Sequence, residues 1–175
     1  MLSTLKNGYP VRESIGHLIN LTHRQIQPLL EERVREYGVS YGTWFFLRAL
    51  WEEDGVSQAA LAERVGASQP TTLAALRKLA AQGLVALKDD RTDRRKFRVV
   101  LTAKGRALRS VLIPRVAEIN GVVLRGLATH EVNQLRRMLK IIQKNAKADF
   151  AVTHPPAAGR RKQAFNSGGA RQARP

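Results

Sequence analysis

The chain has 175 residues, 43% of them hydrophobic, enough to bury one sizeable core, and its 30 Lys and Arg against 14 Asp and Glu leave a formal charge of +16. So large a positive excess predicts attraction to a polyanion, nucleic acid first and an anionic membrane second. Cysteine is absent, which excludes disulfides, thiolate metal sites and cysteine-oxidation switches. No run approaches the roughly 18 to 20 apolar residues of a membrane span, and residues 1–10 lack a signal peptide's apolar stretch, so a cytoplasmic protein is expected.

Residues 12–37 place Ile15, Leu18, Ile19, Ile26, Leu29, Leu30 and Val34 near helical spacing, with Gly38 as a stop. Pro28 falls inside this helix and predicts a kink or break, because proline lacks a donor and crowds the preceding turn. Ser40 offers an N-cap for a second helix, Tyr41 to about Glu53, closed by the Asp54-Gly55 turn. Two short helices follow between Ser57 and Gly83. Ser57 caps the first, Ser68 caps the second with Pro70 in its first turn, and Leu61, Val65, Leu76 and Leu79 supply the apolar faces.

Beyond Gly83 two strand-like runs, 84–88 and 97–101, flank a charged turn, the pattern of a β-hairpin with a basic tip. Thr102 caps a helix to about Gly126 with Leu108, Val111, Leu112, Ile119 and Val122 as candidate buried positions and a bend expected at Pro114. A last helix, Thr129 to about Lys147, sets Val132, Leu135, Met138, Leu139 and Ile142 in an apolar stripe flanked by Arg136, Arg137, Lys140 and Lys144, as for a helix packed on one side. From about Ala151 the chain becomes poor in large apolar residues and free of acids. Residues 151–175 therefore read as a disordered basic tail, either a solvated terminus or a phosphate-binding arm.

Helix, turn, helix, then hairpin is the order of a winged helix-turn-helix, so the expected fold is mainly α with a small β-hairpin wing. The second short helix, Ser68 to Gln82, fits a major groove about 12 Å wide. Ser68, Gln69, Thr71 and Thr72 at its start are short and polar, as close approach to DNA requires, although a cap and first turn have the same composition. Ser57, heading the preceding helix, joins the candidate contacts. The hairpin tip weighs more: Arg91, Arg94, Arg95, Lys96 and Arg98 crowd cations onto a loop too short to bury them, and an arginine there can enter the narrow minor groove. Asp93 is placed to brace Arg95.

Asp93-Arg94-Arg95 followed by Leu101-Thr102 and Gly105 is similar to the wing signature of the multiple-antibiotic-resistance regulator (MarR) family. Ser68-x-Pro-Thr with Leu79 and Gly83-Leu84-Val85 resembles that family's recognition helix, and the likeness extends over residues 12–148. The resemblance implies one domain over 1–150, in which helices of about 12–37, 102–126 and 129–148 interlock in a homodimer around winged parts of about 40–101. It also implies a palindromic DNA operator and relief of repression by a small, often aromatic ligand. Leu73 and Ala74 stand where the family commonly has a hydroxyl residue and an arginine. In the family register Thr72, Leu76 and Leu79 face inward while Gln69, Leu73 and Arg77 face the groove; helical spacing alone would instead bury Leu73.

Trp44, Arg48 and Trp51, at i, i+4 and i+7, share one helix face, and an arginine between two indoles could hold an aromatic carboxylate. His17 and Arg24 lie on the first helix, which in the family borders the same pocket. The plainer alternative makes both tryptophans core, Arg48 a snorkelling side chain and His17 an ordinary partly buried histidine. No cofactor is called for, and His17, His23, His130 and His154 lack metal-ligand spacing. No phosphate-binding glycine loop, nucleophile motif or paired carboxylates suggests an enzyme. No helix reads as carrying an outward basic amphipathic face, so a membrane-surface role is not expected. The alternative to an operator-specific regulator is an architectural DNA- or RNA-binding protein, with steep salt dependence and little sequence preference.

Overall fold

The computed structural model describes residues 10–89 and 97–153. They fall into two units, one ending at Arg125 and the other starting at Gly126.

In the first unit a short 3-10 turn, Val11–Glu13, leads into α1 (Ile15–Arg35). This helix runs unbroken through Pro28, so the proline does not end it. Pro28 and Arg24, whose carbonyl loses its usual partner, are both exposed, so water can take the orphaned acceptor. Ser40 starts α2 (Tyr41–Glu52) with a capping box in which its N–H donates to Thr43 Oγ1 at 2.9 Å. There follow β1 (Val56–Ser57), α3 (Gln58–Val65), α4 (Gln69–Ala81), β2 (Val85–Asp89), β3 (Phe97–Leu101) and α5 (Ala103–Val123). Helix α5 likewise passes through Pro114 unbroken, with Pro114 and Ser110 on its exposed side.

The three strands form one antiparallel sheet in the order β1-β3-β2, with Val56 opposite Val99 and the hairpin running from Val85 opposite Leu101 to Asp89 opposite Phe97. Helix α2 is the hub of the unit: it packs against α1, α3, α4 and α5 and buries Trp44, Phe46, Leu47, Leu50 and Trp51. Leu61, Leu76, Leu79, Leu84, Val99 and Leu112 complete the same core. Of the positions expected to be buried, Leu30, Val34, Leu112 and Ile119 are. Ile15, Leu18, Ile19, Val111 and Val122 are exposed on α1 and α5.

Two junctions hold the sheet to the helices. Asp54 Oδ1 accepts the N–H of Leu101 and of Gly55, both at 2.8 Å, while its Oδ2 accepts from Arg106 at 3.0 Å. The residue that reads as turn punctuation thus clamps the end of α2 to the end of β3 and the start of α5. Beside it, the buried Trp51 Nε1 donates to the carbonyl of Gly105 at 2.9 Å. Trp51→Phe keeps most of the packing but removes that hydrogen bond, so a loss of about 0.5–1.5 kcal/mol is expected in denaturant unfolding. On the other flank, Arg115 pairs with Glu36 at 2.6 Å and lies over the Tyr37 ring at 5.3 Å. Desolvation and a hydrogen bond with Glu36 raise the Tyr37 pKa against the pull of Arg115. Burial likewise raises that of Tyr41, whose hydroxyl sits 2.7 Å from His23 Nε2.

The second unit is α6 (Thr129–Thr153), with the Ala128 N–H donating to Glu131 at 2.7 Å at its start. It runs beyond the expected end at Lys147 and through Ala151–Thr153, where the tail was expected to begin. No Gly or Pro interrupts the sequence before Pro155, so nothing stops the helix earlier. Leu135, Met138, Leu139 and Ile142 form the expected stripe, exposed in the single chain. Arg136, Arg137, Lys140, Lys144 and Lys147 are exposed as well. Contrary to expectation, then, one helix does combine an apolar stripe with an outward basic face. Among the described residues no helix is long and apolar enough to cross a membrane.

Candidate nucleic-acid interface

Helices α3 and α4 begin in the same way. Ser57 Oγ accepts the Ala60 N–H at 3.2 Å, and Ser68 Oγ accepts the Thr71 N–H at 3.2 Å while lying 2.7 Å from the Thr71 hydroxyl. Each serine thereby satisfies a donor that the first helical turn leaves unpaired. Between them α3 ends at Gly66, whose φ of 72° is the left-handed conformation that glycine adopts freely. Gln58 then fixes the angle between the two helices: its Nε2 donates to Gln69 Oε1 at 3.1 Å and to the Gln69 carbonyl at 3.3 Å. No local pattern announces this brace, which exists only because the turn brings the two helix starts together.

On α4, Ser68, Gln69, Thr71 and Arg77 are exposed and Leu73 is half-buried. Gln69, Leu73 and Arg77 follow at i, i+4 and i+8 and so lie along one face. That outcome falls between the two expectations for Leu73, which sits at the rim of the core. Thr72 is a correction: it is fully buried, beside Leu76 and Leu79 on the core side, and its hydroxyl donates to the Ser68 carbonyl at 2.9 Å. It supports the helix start and cannot reach a base. Ser57 is half-buried with its oxygen committed to capping.

Towards the turn end of the described hairpin, Arg98 Nη1 donates to the Gly55 carbonyl at 3.0 Å. Arg91, Asp93, Arg94, Arg95 and Lys96, the wing candidates, lie outside the described residues.

The candidate effector residues are not assembled as expected. Trp44 and Trp51 are buried and meet edge to face with centroids 5.5 Å apart, whereas the Arg48 side chain is 55% exposed and 4.0 Å from Glu52. Arg48 therefore does not lie between the indoles. The reason is that α2 is surrounded: only Gly42, Phe45, Arg48 and Glu52 remain exposed along it. On α1, His17 is half-buried and Arg24 exposed. A different groove, of about 250 Å³, is lined by Leu50, Trp51, Asp54, Leu101, Arg106 and Arg109. Arg106 is held by Asp54, and Arg109 has no ion pair with a described residue. Three elements contribute to this groove, so no single helical period announces it.

Residues 37–96 match the sequence model of the MarR family. The transcriptional repressor NicR of Pseudomonas putida is 29% identical over 123 residues, which cover 70% of this chain and 78% of NicR. The crystal structure of a MarR transcriptional regulator from Methanosarcina mazei superposes with a TM-score of 0.71 at 28% identity, covering 77% of this chain and 96% of that one. BpsR of Bordetella bronchiseptica, whose DNA binding is regulated by 6-hydroxynicotinic acid, shares the fold with a TM-score of 0.72 at 24% identity, covering 77% of this chain and 96% of BpsR.

Proposed function

We propose that this chain, whose residues 37–96 match the MarR family of transcription regulators, is a homodimeric repressor of a palindromic DNA operator, relieved by a small anionic aromatic ligand. The observation that carries the reading is α4 itself. Its start is capped and braced, its core side is sealed by Thr72, Leu76 and Leu79, and Gln69, Thr71 and Arg77 remain on the free side. A helix so held presents donors and acceptors to base edges without having to order them on binding. The cations of residues 91–96 then supply wing contacts to phosphate or the minor groove.

Dimerisation is supported by the exposed Ile15, Leu18 and Ile19 of α1, Val111 and Val122 of α5, and the α6 stripe. Apolar positions at core spacing that one chain leaves in water suit a second copy. Two α4 helices related by a two-fold axis read half-sites about one helical turn, or a multiple of it, apart. Selection of duplexes from a random pool tests both parts. A symmetric motif is expected; recovery of sequences without a shared motif would contradict operator recognition.

For the ligand, the groove beside Trp51 offers an indole edge, aliphatic Leu50 and Leu101, and two guanidinium groups, a set suited to a ring bearing a carboxylate. Because the groove joins α2, β3 and α5, a ligand that pulls Arg106 from Asp54 loosens the clamp holding the wing to the helices, which is the differential contact that relief of binding requires. With a hydroxynicotinate or benzoate series as probe, Arg109→Ala is expected to abolish relief while leaving DNA affinity within about threefold. Full relief in that variant would remove the groove from the mechanism.

A further inference from the structure

Half of the chain's net positive charge lies beyond the winged part. Residues 126–175 hold ten Lys and Arg against two acids, a surplus of +8 out of +16 on less than a third of the length. On α6, Arg136, Lys140, Lys144 and Lys147 stand at i, i+4, i+8 and i+11. At roughly 100° per residue this gathers them within about a quarter of the circumference. They are exposed, and none has an ion pair with a described residue; Arg136 makes one hydrogen bond, to Asn133 at 3.1 Å. The acids of the helix, Glu131 and Asp149, and the apolar stripe fall on the other side. The ridge is about 16 Å long at ~1.5 Å per residue.

We propose that this ridge is a second, sequence-independent contact to duplex DNA, binding backbone phosphates. The proposal rests on the DNA-binding reading above. A duplex offers one charge per about 1.7 Å of its axis, so each cation, spaced by ~6 Å or less, finds a phosphate without register. Three of the four are lysines, compact charges suited to phosphate attraction and lacking the fork that reads guanine. With no acid on the same face, the cations meet no internal competitor, and their mutual repulsion is relieved by a polyanion. A membrane would instead need the apolar stripe, which the dimer takes. Residues 154–175 continue the chain with five more Lys and Arg and no acid.

The test uses the full-length chain with Arg136→Gln, Lys140→Gln, Lys144→Gln and Lys147→Gln together, titrated on a selected duplex and on random duplex of equal length between about 50 and 200 mM salt. Both affinities are expected to fall by about tenfold or more with their ratio preserved, and the slope of log K against log salt to become shallower by about 2 or more. Lys140→Arg, Lys144→Arg and Lys147→Arg together keep the slope. An unchanged slope, a loss confined to the selected duplex, or a loss of binding to anionic vesicles with DNA binding intact would overturn the proposal. Circular dichroism and sedimentation accompany each titration; if the fourfold variant loses its helix or its dimer, Lys144→Gln and Lys147→Gln singly must each lower the slope. A wild-type chain with no preference for any duplex would overturn the repressor reading instead, and the slope comparison still decides the ridge.

Discussion

Gly105→Ala is expected to cost about 3 kcal/mol or more of folding stability, read from the shift of the denaturant midpoint at fixed protein concentration. A Cβ at this position would stand 2.0 Å from the carbonyl oxygen of Leu84, and main chain cannot step aside as the tip of a side chain can. The same residue offers its own carbonyl to Trp51, and its N–H donates to Thr102 Oγ1 at 3.0 Å as the cap of α5. Any shift of the first turn of α5 therefore disturbs the indole, the cap and the Arg106 to Asp54 pair at once. Gly42→Ala is the control. It lies on the exposed side of α2 with nothing within 4 Å of the added atom, so it should be neutral or stabilising by up to about 1 kcal/mol. Equal stability of the two alanine variants would show that the approach of α5 to β2 is not what closes this unit.

Arg77→Ala is expected to lower affinity for a selected operator by about 10- to 100-fold while changing affinity for random duplex by less than about threefold. Arg77 is exposed on the Gln69 face of α4 and has no ion pair with a described residue, so its removal takes nothing from the core. Helix content and unfolding midpoint should stay at the wild-type values. A parallel fall on both duplexes would instead make Arg77 a phosphate contact, and no fall on either would take that face of α4 out of the groove.

The local signals were legible where they are carried by a few adjacent residues. Ser57 and Ser68 mark their helix starts, Gly66 its stop, and residues 85–89 pair antiparallel with 97–101 as the hairpin pattern predicts. Signals that depend on distant partners were not. Strand β1 is two residues long and defined by its pairing to Val99 and Arg98, more than 40 positions downstream. Asp54 and Gln58 likewise acquire their roles from elements that sequence spacing does not bring together. Neither Pro28 nor Pro114 ends its helix, because the cost of a proline depends on where the orphaned carbonyl points, which periodicity does not specify. Periodicity also identified the apolar faces of α1, α5 and α6, which the single chain leaves partly exposed. Trp44, Arg48 and Trp51 share a helical face, yet α2 is so nearly enclosed that a small rotation separates core from solvent, and Arg48 falls on the outer side.

The central claim, recognition of particular base pairs by a dimer of α4 helices, is tested most directly by competition. Purified protein is held at physiological salt on a labelled duplex recovered by selection, and the concentration of unlabelled random duplex needed to displace it is compared with that of the unlabelled parent. A ratio of about a thousand or more, with one dimer per duplex, is the predicted result. Displacement by random DNA at nearly the same concentration would contradict sequence-specific repression and leave a protein that holds DNA by charge alone.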